Sequence, residues 1–100
     1  MNPNLYLGRM HAGNWGGMME IKLNRRAIKF LGRQEKAVNQ RIRLALQGLK
    51  KYPPVGDIVK MKGMKDTYRL RVGTYRVIFQ VDFEAQIIYV LAIDNRGDIY

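Results

Sequence analysis

Residues 67–80 read TYRLRVGTYRVIFQ, and this stretch decides the fold. It contains two runs in which apolar and polar residues alternate, as they do in β-strands, and only Gly73 and Thr74 separate the runs. Glycine at the first of two central positions is typical of a type II′ turn, which joins antiparallel strands. The stretch therefore predicts a hairpin in which residue 72 faces residue 75, residue 71 faces residue 76, and so on to residues 68 and 79.

This register sorts the side chains of the hairpin by face, because successive residues of a strand point to opposite sides. The apolar face, which we expect to lie under the rest of the domain, carries Tyr68, Leu70, Val72, Tyr75, Val77 and Phe79. The opposite face carries Arg69, Arg71, Arg76, Ile78 and Gln80. On that face Arg71 lies directly opposite Arg76, an arrangement that destabilises a sheet.

We interpret these three arginines as a phosphate-binding cluster. The nearest acidic residues along the two strands, Asp66 and Asp82, lie at the strand ends, so folding alone gives no reason for the juxtaposition. Guanidinium groups bind phosphate in a bidentate manner and stabilise negative charge that develops on it. A solvated sheet face with compensating acids is the competing interpretation.

Outward from the hairpin, the chain alternates between helix and strand signals. Glu20–Leu23 has a strand pattern, and Asn24 can cap a following helix that ends near Gly32. The predicted apolar stripe of that helix is Ala27, Ile28 and Leu31, and that of a second helix, which stops before Pro53 and Pro54, is Val38, Ile42, Ala45, Leu46 and Leu49. Two more strands are predicted over residues 58–62 and 86–93.

The predicted fold class is α+β: an N-terminal strand and a two-helix hairpin packed on an antiparallel β-sheet meander. Residues 1–18 contain four glycines and no apolar period, so we expect a flexible or peripheral N-terminal extension. Residues 19–100 form the single predicted domain, because a chain of 100 residues has room for only one.

The composition excludes several classes of protein. The chain has no cysteine, which excludes a disulfide-stapled scaffold and thiolate metal sites. It has no apolar run of transmembrane length and no signal-peptide pattern, so no membrane contact and a cytoplasmic location are expected. Neither a cofactor nor a metal is predicted.

The positive charge is concentrated in the middle of the chain. The formal net charge is +10, and residues 22–76 hold 16 basic and 3 acidic residues, a net charge of +13. A field of this size suits a phosphate backbone, an anionic membrane surface or an acidic protein partner. The predicted RNA-binding residues within it are Lys60, Lys62, Lys65, Arg41 and Arg43.

From about Met19 to Tyr100 the sequence resembles the RelE/ParE superfamily of bacterial and archaeal toxins, and more closely its RelE branch. The resemblance rests on KGM at 62–64, YRLR at 68–71, GTYRVIF at 73–79 and the ending NRGDIY at 95–100. It implies the RelE-like microbial RNase fold and a toxin that cleaves mRNA in the ribosomal A site. It also implies a small, acidic cognate antitoxin, with the toxin a monomer when free and part of a hetero-oligomer when inhibited.

In RelE-like enzymes the ribose 2′-OH attacks the adjacent phosphate without a metal. The catalytic residues implied here by the resemblance are Arg69, Arg71, Arg76, Arg96 and Tyr100. Some relatives have lysine on the third strand, where this chain has arginine, and many have histidine where it has Asn95. Because arginine stays protonated and cannot serve as a base, we hypothesise that Tyr100, its phenol acidified by the arginines, is the general base or orients it.

Two alternatives remain open at the level of sequence. A ParE-like toxin would inhibit a topoisomerase without cutting RNA, and it has no need to keep Arg76, Arg96 and Tyr100 together. A non-catalytic RNA- or ribosome-binding module would show steep salt dependence but leave mRNA intact. Mapping mRNA ends on translating ribosomes separates both from the enzyme.

Overall fold

The computed structural model describes residues 19–51 and 53–95. In chain order these contain β1 (Glu20–Leu23), α1 (Arg25–Gly32), α2 (Lys36–Gly48), β2 (Asp57–Lys60), β3 (Thr67–Val72), β4 (Tyr75–Asp82) and β5 (Ile87–Asn95). The predicted extension, residues 1–18, and two predicted catalytic residues, Arg96 and Tyr100, lie outside the described residues.

The strands form a five-stranded sheet in the order β1-β5-β4-β3-β2. Strands β2 to β5 are the predicted antiparallel meander, and the two helices pack on one of its faces, which confirms the predicted α+β class. The first strand joins the edge of the meander parallel to β5, so the sheet is mixed. The sequence pattern gave no indication of this pairing, because β1 and β5 are more than 60 residues apart in the chain.

The register of the central hairpin is the predicted one. Residue 72 pairs with residue 75, residue 71 with residue 76, and residue 68 with residue 79. Gly73 has φ +60°, and Thr74 does not share the positive sign, which is the pattern of a type II′ turn. The Tyr68 and Phe79 rings stack with centroids 5.5 Å apart on the buried face.

The core lies between the helices and one face of the sheet. Asn24 caps α1 as predicted, its side-chain oxygen accepting a hydrogen bond from the Ala27 amide at 2.9 Å. The stripe of α2 is confirmed, with Ile42, Leu46 and Leu49 buried and Val38 and Ala45 packed against the core.

The predicted stripe of α1 is wrong at Ile28. Ala27 and Leu31 are buried, but the Ile28 side chain is 57% exposed. Consecutive residues of a helix point about 100° apart, and this turn places Ile28 on the outer side. Phe30 takes its place, with its ring edge-on to that of Tyr75 at 6.0 Å.

Two strand boundaries differ from the prediction. The second strand is Asp57–Lys60, since the chain turns after Met61, whose amide donates to the Thr67 carbonyl at 2.8 Å. The last strand is Ile87–Asn95, two residues longer than predicted at its end. It contains a β-bulge at Leu91, because Phe79 pairs with Val90 whereas Ile78 pairs with Ala92.

Neither of the helices within residues 19–51 and 53–95 has the length and apolar character needed to cross a membrane.

Candidate phosphate-binding site on the arginine face

The side of the sheet opposite the helices carries Arg69, Arg71 and Arg76, and we call it the arginine face. Arg69 and Arg71 alternate along β3 with the buried Tyr68, Leu70 and Val72, so their side chains must point away from the core. Arg76 does the same on β4 next to the buried Val77. The structure therefore brings together three of the five predicted catalytic residues on strands anchored by the core.

Arg71 and Arg76 lie at the centre of a row of charges that crosses four strands. Arg71 pairs with Arg76 in the hairpin, Asp57 pairs with Arg71 on one side, and Asp94 pairs with Arg76 on the other. We call Asp57, Arg71, Arg76 and Asp94 the guanidinium row. Side chains of direct cross-strand partners share a face and lie about 5 Å apart at Cβ, so two arginine side chains in this arrangement can reach one phosphate.

Arg69 lies one step further along the same face. Its cross-strand partners are Val59 on β2 and Ile78 on β4, so apolar side chains flank the methylene groups of Arg69. The Nε atoms of Arg69 and Arg71 are buried and donate no hydrogen bond to any residue in 19–51 or 53–95. A buried donor on a cation favours an anionic acceptor, because an unmade hydrogen bond costs free energy.

The sequence argument considered acids only on the two strands of the hairpin. It therefore did not include Asp57 on β2 and Asp94 on β5. Arg71 Nε lies 3.8 Å from Asp57 Oδ2, and Arg26 Nη2 lies 3.9 Å from Asp94 Oδ1. The Asp57 carboxylate therefore offsets part of the repulsion between Arg71 and Arg76, whereas the Asp94 carboxylate is directed at α1. The distance of 3.8 Å exceeds that of a hydrogen bond, so Asp57 does not saturate Arg71.

Of the predicted RNA-binding residues, Arg41 lies at the turn of the hairpin. It projects from α2 to the tip of the hairpin, where a Cβ built on Gly73 would overlap its guanidinium. The turn at Gly73 and Thr74 directly follows Arg71 and Val72 and precedes Arg76. Arg41 therefore extends the positive surface from the guanidinium row around the end of the hairpin.

The other predicted RNA-binding residues lie in two places. Lys62 and Lys65 are exposed in the loop between β2 and β3, and the Lys65 carbonyl accepts a hydrogen bond from the Gln80 side chain on the arginine face at 3.3 Å. Lys60 pairs with the buried Tyr68, which puts it on the helix side of β2, and its Nζ donates to the Met64 carbonyl at 3.2 Å.

Arg43 also belongs to the helix side. Its Nε donates to Asn39 Oδ1 at 2.7 Å, and it lines a depression with Ile21 and Leu23 of β1. Arg43 and Lys60 thus lie away from the guanidinium row, whereas Arg41 and Lys65 border the arginine face.

Sequence analysis missed Asp57, Asp94 and Arg26. Alternation along β2 indicates that Asp57 shares a face with Val59, two residues later. Nothing in the sequence fixes the register of β2 against β3, so the pairing of Asp57 with Arg71 could not be predicted. For Asp94, regular alternation from the buried Ile88 and Val90 predicts the core side, and only the bulge at Leu91 moves it to the arginine face.

The residues that the structure describes contain no group of three or more His, Cys, Asp or Glu side chains that could hold a metal ion.

Comparisons with known proteins point to one superfamily. The family model of the ParE toxin of type II toxin–antitoxin systems (parDE) matches residues 21–100. A RelE-like toxin protein of Escherichia coli is 31% identical over 85 residues, which span 81% of this chain and 88% of that protein.

Solved structures give the same result. A chain of the archaeal RelE–RelB complex from Pyrococcus horikoshii superposes with a TM-score of 0.70 at 29% identity, covering 81% of this chain and 98% of that one. A chain of the RelB–RelE antitoxin–toxin complex from Methanococcus jannaschii superposes with a TM-score of 0.64 at 26% identity, covering 78% and 93%.

A helical hairpin on a mixed five-stranded sheet, with basic residues on the opposite face, places this protein in the RelE/ParE superfamily of toxins. More particularly, the chain belongs to the ParE toxin family of type II toxin–antitoxin systems. The resemblance seen in the sequence is confirmed, and the protein is the toxin component of such a system, similar to RelE.

Proposed function

We propose that this toxin is a ribosome-dependent mRNA interferase, a metal-independent endoribonuclease that acts in the cytoplasm on mRNA in the ribosomal A site. The observation that carries the proposal is the juxtaposition of Arg71 and Arg76, with Arg69 one step away, on a sheet face anchored by the core. A surface used only for protein contact has no need of directly opposed arginines, which cost stability.

In the proposed reaction the ribose 2′-oxygen attacks the adjacent phosphorus while a base takes the 2′-OH proton. The P–O5′ bond breaks, and the leaving 5′-oxygen receives a proton. The products are a 2′,3′-cyclic phosphate and a 5′-hydroxyl end. Charge builds on the non-bridging oxygens of the pentavalent phosphate, where preorganised guanidiniums stabilise it.

The roles follow from position. We assign Arg76 as the main cation for the transition state, because it lies between Arg71 and Asp94 at the centre of the guanidinium row. Arg69 and Arg71 contact the phosphate and the leaving group. For Arg96 and Tyr100, which lie outside the described residues, we retain the roles of supporting cation and of general base or base-orienting group.

A cognate antitoxin is the proposed protein partner, forming a hetero-oligomer with a toxin that is monomeric when free. Support comes from the two archaeal neighbours, which are toxin–antitoxin complexes. The helix side offers an apolar contact, since Leu44 of α2 is 76% exposed between a depression lined by Ile21 and Leu23 and another lined by Val55 and Val72. Basic residues beside it, Arg43 and Lys51, suit an acidic antitoxin.

Primer extension on translating ribosomes tests the proposal. Wild-type toxin should give new mRNA ends, and Arg76→Ala should lower the cleavage rate about 10²- to 10³-fold, as the loss of one preorganised donor does. Lys29→Ala, which removes an exposed cation from the last turn of α1, is the matched control. Intact mRNA with the wild-type protein, or an unchanged cleavage rate with Arg76→Ala, would refute the proposed interferase activity.

A second candidate function is inhibition of a topoisomerase, which the match to the ParE family model favours. Purified toxin would then block supercoiling by gyrase and leave ribosome-bound mRNA intact. The same preparation can be used in both assays, so one experiment decides between the two activities.

A further inference from the structure

We propose that Asp57 is a positioning residue, which holds the guanidinium of Arg71 in a defined orientation beside Arg76 so that both arginines can contact one phosphate. The inference deepens the proposed function and rests on it, since it assigns an acid to the same site.

Asp57 lies close enough to attract Arg71 but too far away to form a hydrogen-bonded ion pair with it. Its Oδ2 lies 3.8 Å from Arg71 Nε, and the two side chains are 48% and 38% exposed. At this distance the carboxylate attracts the guanidinium without taking a hydrogen bond from its Nε, which is buried. The donors of Arg71 therefore stay available to a phosphate.

Asp94, at the other end of the row, makes a different contact. It is in register with Arg76 across β4 and β5, but its Oδ1 lies 3.9 Å from Nη2 of Arg26, and it lines a depression with Lys29, Phe30 and Arg33 of α1. The Asp94 carboxylate therefore belongs to the contact with α1, and Asp57 is the acid assigned to the arginine pair.

The sign of its charge explains the role of Asp57. Attraction by the carboxylate restricts the conformations of Arg71, which the like charge of Arg76 would otherwise repel in any direction. A carboxylate beside a polyanion site lowers the affinity of that site for RNA. A surface that only binds RNA would bind it more tightly without Asp57, whereas a site that must align two guanidiniums gains from it.

Side-chain NMR tests the positioning without relying on activity. In free toxin, Asp57→Asn should lower the heteronuclear NOE of the Arg71 Nε–Hε group, because the guanidinium becomes more mobile without the attraction of the carboxylate. Glu84→Gln, which removes the same charge from the exposed β4–β5 turn, should leave that NOE unchanged. An Arg71 NOE that is the same in Asp57→Asn as in wild type would overturn the proposal.

Kinetics then test what the positioning does. On ribosomes saturated with toxin, Asp57→Asn should slow cleavage about threefold to fivefold, the weak coupling expected of an exposed pair, while binding to 2′-O-methylated mRNA stays equal or tightens. Combined with Arg71→Lys, Asp57→Asn should have little further effect on the rate. Full additivity of the two substitutions, or faster cleavage in step with tighter binding, would contradict the inference.

Asp94→Asn is the matched control in the kinetic assay. It removes the same charge from the other end of the row, where the carboxylate contacts Arg26, so it should change the rate much less than Asp57→Asn. Equal losses from both variants would mean that the rate responds to the net charge of the row and not to the contact between Asp57 and Arg71. If wild-type toxin leaves mRNA intact, the proposed function fails, and the NMR comparison still decides whether the acid positions the arginine.

Discussion

At the scale of single residues, Gly73 meets two requirements at once. Its φ of +60° suits the first position of the type II′ turn, and the space where a Cβ would stand is filled by the guanidinium of Arg41. Gly63 has a similar φ of +73°, but a Cβ there would meet nothing within 4 Å. Substitutions at these two glycines therefore allow the effect of backbone strain to be distinguished from the effect of displacing Arg41.

We expect Gly73→Ala and Gly63→Ala to lower the free energy of unfolding by similar amounts, about 1–2 kcal/mol, because both force alanine into a left-handed conformation. The extra contact at Gly73 adds little, since the exposed Arg41 side chain can move aside. Urea denaturation measures both values.

The two variants should differ in RNA binding. Displacement of Arg41 from the hairpin tip should weaken the affinity of Gly73→Ala for ribosome-bound RNA, whereas Gly63→Ala should bind like wild type. If both bind equally well, Arg41 has no part in the RNA-binding surface.

The residue scale is also where the sequence was most informative. The turn at Gly73 and Thr74 is local, so the register that joins Arg71 to Arg76 follows from the residues between them. The flanking acids depend on contacts distant in sequence, and alternation along a single strand cannot supply them. Ile28 shows the same limit in a short helix, where a shift of one residue decides which apolar side chain faces the sheet.

At the scale of elements, Asn24 ties α1 to the bulge of β5. Its side-chain oxygen caps the helix at Ala27, its amide Nδ2 donates to the Leu91 carbonyl at 2.7 Å, and its own backbone amide donates to the Val90 carbonyl at 3.1 Å. One residue thus satisfies the first turn of a helix and the irregular carbonyl of the strand beside it. The sequence predicted the cap but not the contact with Leu91.

We expect Asn24→Ala to lower the free energy of unfolding by about 2 kcal/mol, the loss of a helix cap and of one further hydrogen bond. Asn24→Ser keeps a capping oxygen but lacks the amide, so it should cost about half as much. Thermal or urea denaturation gives both values. Equal stability of the two variants would mean that the cap contributes nothing.

At the scale of the whole molecule, the sheet divides the positive charge between two sides. Arg69 lies on the arginine face, and Arg43 lies on the helix side near β1. The net charge of +10 alone predicts attraction to RNA from every direction. The fold makes that prediction more specific, because only one side carries the guanidinium row.

Salt dependence distinguishes the two sides. We expect Arg69→Gln to reduce the slope of log K against log salt for binding single-stranded RNA by about 0.7, the loss of one phosphate contact. Arg43→Gln removes the same charge and should leave the slope nearly unchanged. A slope reduced equally by both variants would show that RNA binds through diffuse charge and not through the arginine face.

The extra residue in β5 has a consequence for how this chain can vary. Before Leu91 the even-numbered residues of the strand, Ile88 and Val90, face the core, and after it the odd-numbered Ile93 does. The strand thus changes phase once, at the residue that has no partner of its own. A chain lacking Leu91 would have a regular ladder, in which Ala92, Ile93 and Asp94 keep Ile78, Val77 and Arg76 as partners. This strand can therefore lose one residue at the bulge without a change of register, whereas a residue inserted into either regular half would turn the side chains beyond it to the opposite face.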